Sequence, residues 1–330
     1  MNPLVSIIVN NYNYGRFLWE AIDSALGQTY PHCEVIVVDD GSTDNSREVI
    51  AGYRELIIPV LKENGGQASA FNAGFEASTG DLILFLDSDD MLEAEAIETV
   101  VREWRDGVSR IIFPLEVVDK SGKPMGRTKG GVAVPSPALG PFGMGSPTSG
   151  NTFSRAALER IMPMPEEGWE IAADIYLTAT SLFGETVCLR EPLGKYRVHR
   201  DAGHPQDDVA WAVRNRIRLD LKFYEILHRL TDGKIGSLEQ WLSACPLHWV
   251  RRIRSLRESP KDHPWPDTVP SLLAHAIRAT WRQPGRNFRR RVAYTIFVVG
   301  HAILPRKASH GMWTVEGQER GRVFKRLLGA

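Results

Sequence analysis

The chain has 330 residues, 43% hydrophobic and 24% charged. That is material for a full core and for two domains, and it excludes disorder, collagen-like repeats and small disulfide scaffolds. The formal net charge of zero conceals two unlike halves: of 40 basic and 40 acidic residues, 23 and 11 lie in residues 205–330, a net +12, leaving 17 and 29, a net −12, for residues 1–204.

The opening MNPLVSIIVNNYNYG has no basic region before a long apolar stretch and no small-residue cleavage site, so it reads as the first strand of a mature protein. Val5–Val9 is a β-branched run, after which Phe17, Leu18, Ala21, Ile22, Ala25 and Leu26 recur at helical spacing. Strands are expected again at Glu34–Val38, Ile57–Leu61 and Leu82–Leu86, with helices at Asn45–Tyr53 and Ala68–Ala77 between them. Short apolar strands separated by single helices imply an α/β fold with a mostly parallel sheet covered on both faces. Chemistry in such sheets sits beyond the carboxyl ends of the strands. Three of those ends carry polar clusters, at 10–14, 39–44 and 87–90.

Ile111–Val118 is strand-like, and Gly130–Ser154 holds six Gly, four Pro and no charge, which reads as a long binding loop or lid and not as a membrane span. Residues 155–204 return to helix, strand and turn. From about Asp207 the composition becomes helical, basic and rich in tryptophan, so the expected domains are residues 1–204 and a helical region of residues 205–330. Cys33, Cys188 and Cys245 lack CxxC spacing and fit reduced thiols of a cytosolic protein, with neither a disulfide nor a zinc site expected.

Asp39-Asp40-Gly41-Ser42-Thr43-Asp44 lies at a strand end before a helix. Asp, Ser and Thr there are good helix caps, and equally a carboxylate at a sheet edge can accept hydrogen bonds from a nucleotide base or ribose, with Asn10 and the Tyr12 ring on the adjoining loop. Neither GxGxxG nor GxxxxGK[ST] occurs, which argues against a dinucleotide site and a P-loop. In Asp87-Ser88-Asp89-Asp90, three carboxylates within four residues repel one another unless solvated, protonated or neutralised by a cation. Oxygen ligands of this kind suit Mg²⁺ or Mn²⁺ held partly by a substrate's phosphates, and the alternative is a helix cap for the segment that follows.

VSIIVNNYNYG, VIVVDDGSTD and NGGQASAFNAGFEASTGDLILFLDSDD, in that order, resemble the family 2 glycosyltransferases of the GT-A fold over residues 4 to about 105. The resemblance implies a nucleotide site drawn from Asn10, Tyr12, Asp39, Asp40, Asn72, Asp87 and Ser88, and a divalent cation, Mn²⁺ or Mg²⁺, held through Asp87 and Asp89. Many members carry Ala-Arg-Asn where this chain has Ala70-Phe71-Asn72, so a basic contact to the diphosphate must come from elsewhere or be absent. Trp169 to Leu177 looks like the family's Glu-Asp-x-x-Leu helix, with Asp174 matching the catalytic base and Ala173 replacing the Glu. A lone Asp there would otherwise be a surface carboxylate. Tyr196-Arg197-Val198-His199 falls where members often have Tyr-Arg-x-His, which makes Arg197, His199 and also Asp90 further candidates at the metal or phosphate site, beside a purely structural His.

The expected activity is an inverting transfer of a sugar from a nucleotide-diphosphate donor, a UDP-sugar by preference, to a hydroxyl of a glycan or lipid-linked acceptor in surface polysaccharide or glycolipid synthesis. The alternatives are a nucleotidyltransferase, whose Gly-rich basic loop is missing, and a non-catalytic nucleotide-sugar or glycan-binding subunit. In the tail, Arg289-Arg290-Arg291 precede Val292–Pro305, which carries no full charge. It is too short to span a bilayer and reads either as an interfacial helix on an anionic membrane surface or as a buried core helix. The expected location is cytoplasmic, with peripheral attachment to the inner face of the plasma membrane as the interfacial case. No nucleic-acid recognition motif is present.

Overall fold

The computed structural model describes residues 2–131, 146–199, 209–282 and 288–304, which fall into two compact units, one ending at residue 199 and the other starting at residue 209. The expected boundary at 204/205 lies outside the described residues, as does most of the loop at 130–154.

The first unit runs β1 (Val5–Asn11), α1 (Gly15–Leu26), β2 (Cys33–Asp40), α2 (Ser46–Tyr53), β3 (Ile58–Lys62), α3 (Gln67–Ala77), β4 (Leu82–Asp87), β5 (Met91–Leu92), α4 (Ala96–Glu103), β6 (Val108–Ile112), β7 (Pro114–Asp119), β8 (Pro124–Gly130), β9 (Asn151–Ser154), α5 (Arg155–Leu158), α6 (Asp174–Leu177), β10 (Glu185–Cys188) and β11 (Gly194–Val198). Seven strands form one sheet in the order β10-β6-β9-β4-β1-β2-β3, and β5-β11-β7-β8 form a second. In the large sheet β1 pairs parallel with β2 and β4, β2 with β3, and β6 with β10, while β9 runs antiparallel between β4 and β6. This is the mostly parallel α/β sheet that the strand and helix alternation implies.

Strands β1, β2 and β4 are buried on both faces, with Ile7, Ile8, Val37, Leu84 and Phe85 fully enclosed. That is why they read as unbroken apolar runs. β3 is an edge strand with Ile58 and Leu61 exposed, and it tolerates Pro59 because one side of its backbone has no partner. The apolar run Ile111–Val118 is not one strand. The chain leaves the large sheet after Ile112 and enters the small one at Pro114, with Phe113 N–H donating to the Gly150 carbonyl at the crossing.

The second unit is helical: α7 (Val209–Leu230), α8 (Leu238–Leu242), α9 (Pro246–Glu258), α10 (Val269–Arg282) and α11 (Phe288–Ile303). Ser237 and Gln240 form a reciprocal capping box on α8, and proline occupies the first turn of α9, where its missing N–H costs no hydrogen bond. α9 is the central helix, packing against α7, α10 and α11, with Val250 and Ile253 fully buried. No described helix is long and apolar enough to cross a membrane.

Candidate active site

The register places the polar ends together. Asn10 of β1 lies opposite Val38 of β2 and Asp87 of β4, and Asn11 opposite Asp39, so the first and third polar clusters and the acidic loop after β2 share one edge of the sheet. At β2, Asp39 is fully buried and accepts from Asn11 Nδ2 (3.1 Å), Ser42 N–H (3.1 Å) and Arg47 Nε (2.9 Å). Burial alone would raise its pKa, but the bonds from Ser42, Arg47 and Asn11 outweigh it and hold the carboxyl below its ordinary value. Asp40 accepts from Lys62 Nζ at 2.7 Å and from the backbone N–H groups of Gly65 and Gly66 at 3.0 and 2.8 Å.

The capping reading of this loop holds for Asp44, which accepts from Ser46 N–H in the first turn of α2 and, across the gap, from Gly15 N–H at the start of α1. Asn13 and Ser42 add two further ties: Asn13 N–H donates to Ser42 Oγ at 2.9 Å, and Thr43 N–H to Asn13 Oδ1 at 2.7 Å. Gly41 turns this loop at φ +78°, and an added Cβ there would lie only 2.6 Å from Asn64 N. Tyr12 stands 47% exposed on the rim. Among the described residues the buried Oδ1 atoms of Asn10 and Asn11 lack a hydrogen-bond partner.

At β4 the acidic cluster divides in two. Asp90 faces inward and is buried, accepting from Ser149 Oγ (2.7 Å) and Arg197 N–H (3.0 Å). Asp87 and Asp89 are half-buried. Burial first, and the charges of Asp89 and Asp174 next, push the Asp87 carboxyl up to about 8, while the Thr148 hydroxyl and Lys129 oppose the shift. Asp90 is raised well above its ordinary value by burial, Asp89 and Asp87. Ser88 is buried, its N–H donating to the Asn10 carbonyl at 3.2 Å. Among the described residues no group of three His, Cys, Asp or Glu side chains is arranged to hold a metal by itself. The Asp87 and Asp89 carboxylates are hard oxygen donors, the kind of which Mg²⁺ takes one or two while phosphate or water fills its remaining positions.

His199 and Arg197 both support Asp89. His199 Nε2 lies 2.8 Å from Asp89 Oδ2, with the imidazole against the rings of Tyr14 and Phe17 at 5.2 and 4.9 Å between centroids. The Arg197 side chain is 1% exposed and donates to the Asp89 and Lys120 carbonyls and to Glu20 at 2.8 Å, lying over the Phe17 ring. Its guanidinium is enclosed by protein and braces the loop from behind. Asn72 is likewise engaged away from the cluster, with Nδ2 donating to the Met164 carbonyl and Oδ1 accepting from Met164 N–H.

Asp174 opens α6, and the helix expected over Trp169–Leu177 is helical only from this residue. Ala172 adopts φ +61°, which breaks the helix before it, and the turn is clamped by Gln67: its N–H donates to the Glu170 carbonyl and its Oε1 accepts from Ala173 N–H at 2.9 Å. Gly66, at φ +85°, comes so close that a Cβ would lie 2.8 Å from Glu170 Cα. The clamp brings Asp174 within electrostatic reach of Asp87, Arg110 and Lys129. Lys129, on β8, lies over the Tyr196 ring at 3.6 Å and is the basic residue that the motifs do not reveal. A polar, largely exposed strand 40 residues from the acidic loop gives no sequence signal for it; only the pairing of β8 with β7, itself beside β11, brings it there.

Residues 6–160 match the family model for glycosyl transferase family 2. An uncharacterised glycosyltransferase of Nostoc sp. is 37% identical over 215 residues, 61% of this chain and 66% of that protein, and the glycosyltransferase GlyG of Streptococcus pneumoniae is 41% identical over 117 residues, 34% and 39% of the two chains. The chain thus spans about two thirds or less of the length of these relatives. The crystal structure of S. aureus TarS 1–349 in complex with UDP-GlcNAc has the same fold, with a TM-score of 0.53 at 17% identity over 96% of this chain and 93% of that one. Residues 6–160 of the chain belong to glycosyl transferase family 2.

Proposed function

From that membership we propose that the protein is an inverting glycosyltransferase that takes a sugar from a nucleotide-diphosphate donor, with UDP as the nucleotide, and delivers it to an acceptor hydroxyl. The observation that carries this reading is the meeting of Asn10, Asp39 and Asp87 at one sheet edge, with Asp174 close enough to raise the Asp87 pKa. In this reading Tyr12 offers its exposed ring to the base, and the buried Oδ1 atoms of Asn10 and Asn11, without a partner among the described residues, are acceptors at the same sheet edge. Asp87 and Asp89 would hold Mn²⁺ or Mg²⁺, which when bound neutralises the charge that grows on the diphosphate as it leaves.

The remaining work falls to the chain. His199 and Arg197 fix Asp89 from behind, and Lys129 supplies the basic contact missing at Phe71. Asp174 accepts the proton of the acceptor hydroxyl as its oxygen attacks the sugar carbon from the face opposite the diphosphate. One displacement inverts the anomeric centre and needs no protein nucleophile. Differential stabilisation comes from groups that meet more charge in the transition state than in the bound donor.

Titration calorimetry of UDP with and without Mn²⁺, followed by a donor-hydrolysis assay across nucleotide sugars, tests the reading. Cation-dependent UDP binding with turnover of at least one donor is expected. Binding without any hydrolysis or transfer would leave a non-catalytic donor-binding subunit, and absence of binding would overturn the nucleotide assignment.

A further inference from the structure

α11 has two apolar faces. The inner face, Ala293, Tyr294, Phe297, Val298 and Ala302, is buried, and Arg257 of α9 fastens the helix end by donating to the carbonyls of His301 and Leu304. The expectations of a core helix and of an interfacial helix therefore describe opposite sides of one element. On the outer side Phe288, Ile296 and Ile303 are 69%, 59% and 69% exposed, with Val292 and Val299 partly exposed between them. Steps of four, four, three and four residues place all five on one stripe, about 22 Å long at 1.5 Å per residue.

Trp281, at the end of α10, extends the stripe. It is 40% exposed, meets the Phe288 ring edge to face at 5.8 Å, and has its indole N–H satisfied by Thr295 Oγ1 at 3.1 Å. A tryptophan with its polar edge satisfied beside a solvent-facing apolar stripe suits the boundary between water and hydrocarbon. Within these two helices the charge has one sign. From Thr268 to Leu304 the sequence has no acidic residue and six arginines, of which Arg278, Arg282 and Arg289 are exposed.

We infer that the outer stripe of α11, with Trp281, docks this protein on an anionic lipid surface, the apolar side chains entering the headgroup boundary and the arginines meeting lipid phosphates. Charge complementarity selects this occupant over a second copy of the chain, since a self-complementary contact would bring two arginine-rich rims of like charge together. Anionic lipid is what the cytoplasmic leaflet offers. With 16 residues the helix is too short to span a bilayer and lies along its surface instead. The inference stands on this surface alone and is independent of the catalytic reading.

Co-sedimentation of the full chain with vesicles of phosphatidylglycerol and phosphatidylcholine, compared with phosphatidylcholine alone, tests it. Binding is expected only to the anionic vesicles and should weaken at about 1 M salt, where the Debye length is roughly 3 Å. The triple variant Phe288→Ser, Ile296→Ser, Ile303→Ser should lose about tenfold or more in vesicle affinity while keeping its melting midpoint, because all three side chains face solvent. Ile296→Ser alone serves if the triple variant fails to fold. Unchanged vesicle binding by the variants, no binding by the wild type, or a dimer in sedimentation velocity that the variants dissolve without any vesicle binding would each overturn the proposal.

Discussion

The carboxylates at the end of β4 and Asp220 of the helical unit sit in opposite surroundings. At the end of β4, Asp87 and Asp90 are pushed up first by burial and then by the charges of neighbouring carboxylates. In the helical unit Asp220 is enclosed by Arg251 Nη1 at 2.7 Å, His248 Nδ1 at 3.3 Å and Arg216 Nε at 3.6 Å. Burial would raise its pKa, yet the arginines and the His248 bond hold it well below the usual carboxylate range. Asp267 accepts from Arg252 Nε and Nη2, both at 2.8 Å. The helical unit uses its acids to tie basic helices together, whereas at the end of β4 burial and like charge raise Asp87 and Asp90.

Four measurements would break or sharpen that contrast. The largest effect is expected at Asp174. Asp174→Asn should leave donor affinity nearly intact and lower the transfer rate by roughly 10² to 10⁴, the range for losing a general base. Normal turnover in this variant would assign the proton to another group. Next is Arg251→Ala, which leaves Asp220 enclosed with its main partner gone. Denaturant unfolding should show the chain losing about 3 kcal/mol, as for one half of a buried ion pair. Asp89→Asn should keep the fold and lower the Mn²⁺-dependent part of UDP affinity by roughly 10- to 100-fold. Equal calorimetric affinity with and without Mn²⁺ in the wild type would remove the basis for that assignment.

The smallest effect separates the units by pH. Asp87, raised to about 8, binds more protons folded than unfolded, so without a cation its contribution to stability is lost as pH rises from the ordinary carboxylate range through about 8. Asp220, lowered, contributes above the ordinary carboxylate pKa and loses that contribution as pH falls. His248, lowered chiefly by burial, acts in the same direction below its ordinary value. Hydrogen exchange followed by unit should show the helical amides loosening toward acid, and those at the end of β4 loosening toward alkali. The same trend in both units would contradict the contrast.

The sequence made β1 to β4 legible because each is an apolar run with polar residues at its carboxyl end. β9 was hidden inside an uncharged Gly/Pro-rich stretch, since Asn151-Thr152-Phe153-Ser154 carries no apolar period. It is a sheet strand because Asn151 takes the enclosed Arg110 guanidinium and Thr152 pairs with both Leu84 and Ile111. The break between β6 and β7 has no marker but Pro114 within a run that stays apolar on both sides. Motif order revealed which residues gather at the sheet edge but not which way their side chains face. Arg197 and Asn72 were readable as candidates, and only packing directs one toward Glu20 and the other toward Met164. Arg47 and Lys62, the partners of Asp39 and Asp40, lie in a helix and an edge strand where nothing local distinguishes them.

The ties between the loops after β1 and β2 have a thermodynamic consequence. Asp44 reaches across to Gly15, Ser42 to Asn13, and Asn13 back to Thr43, so the two loops form one body before any ligand arrives. A nucleoside entering between them would have little chain left to order, and most of the entropy that a flexible pocket loses on association is already lost at folding. Uridine alone should then bind with a small ordering cost, leaving the cation and diphosphate end of the cleft as the part whose shape depends on what is bound.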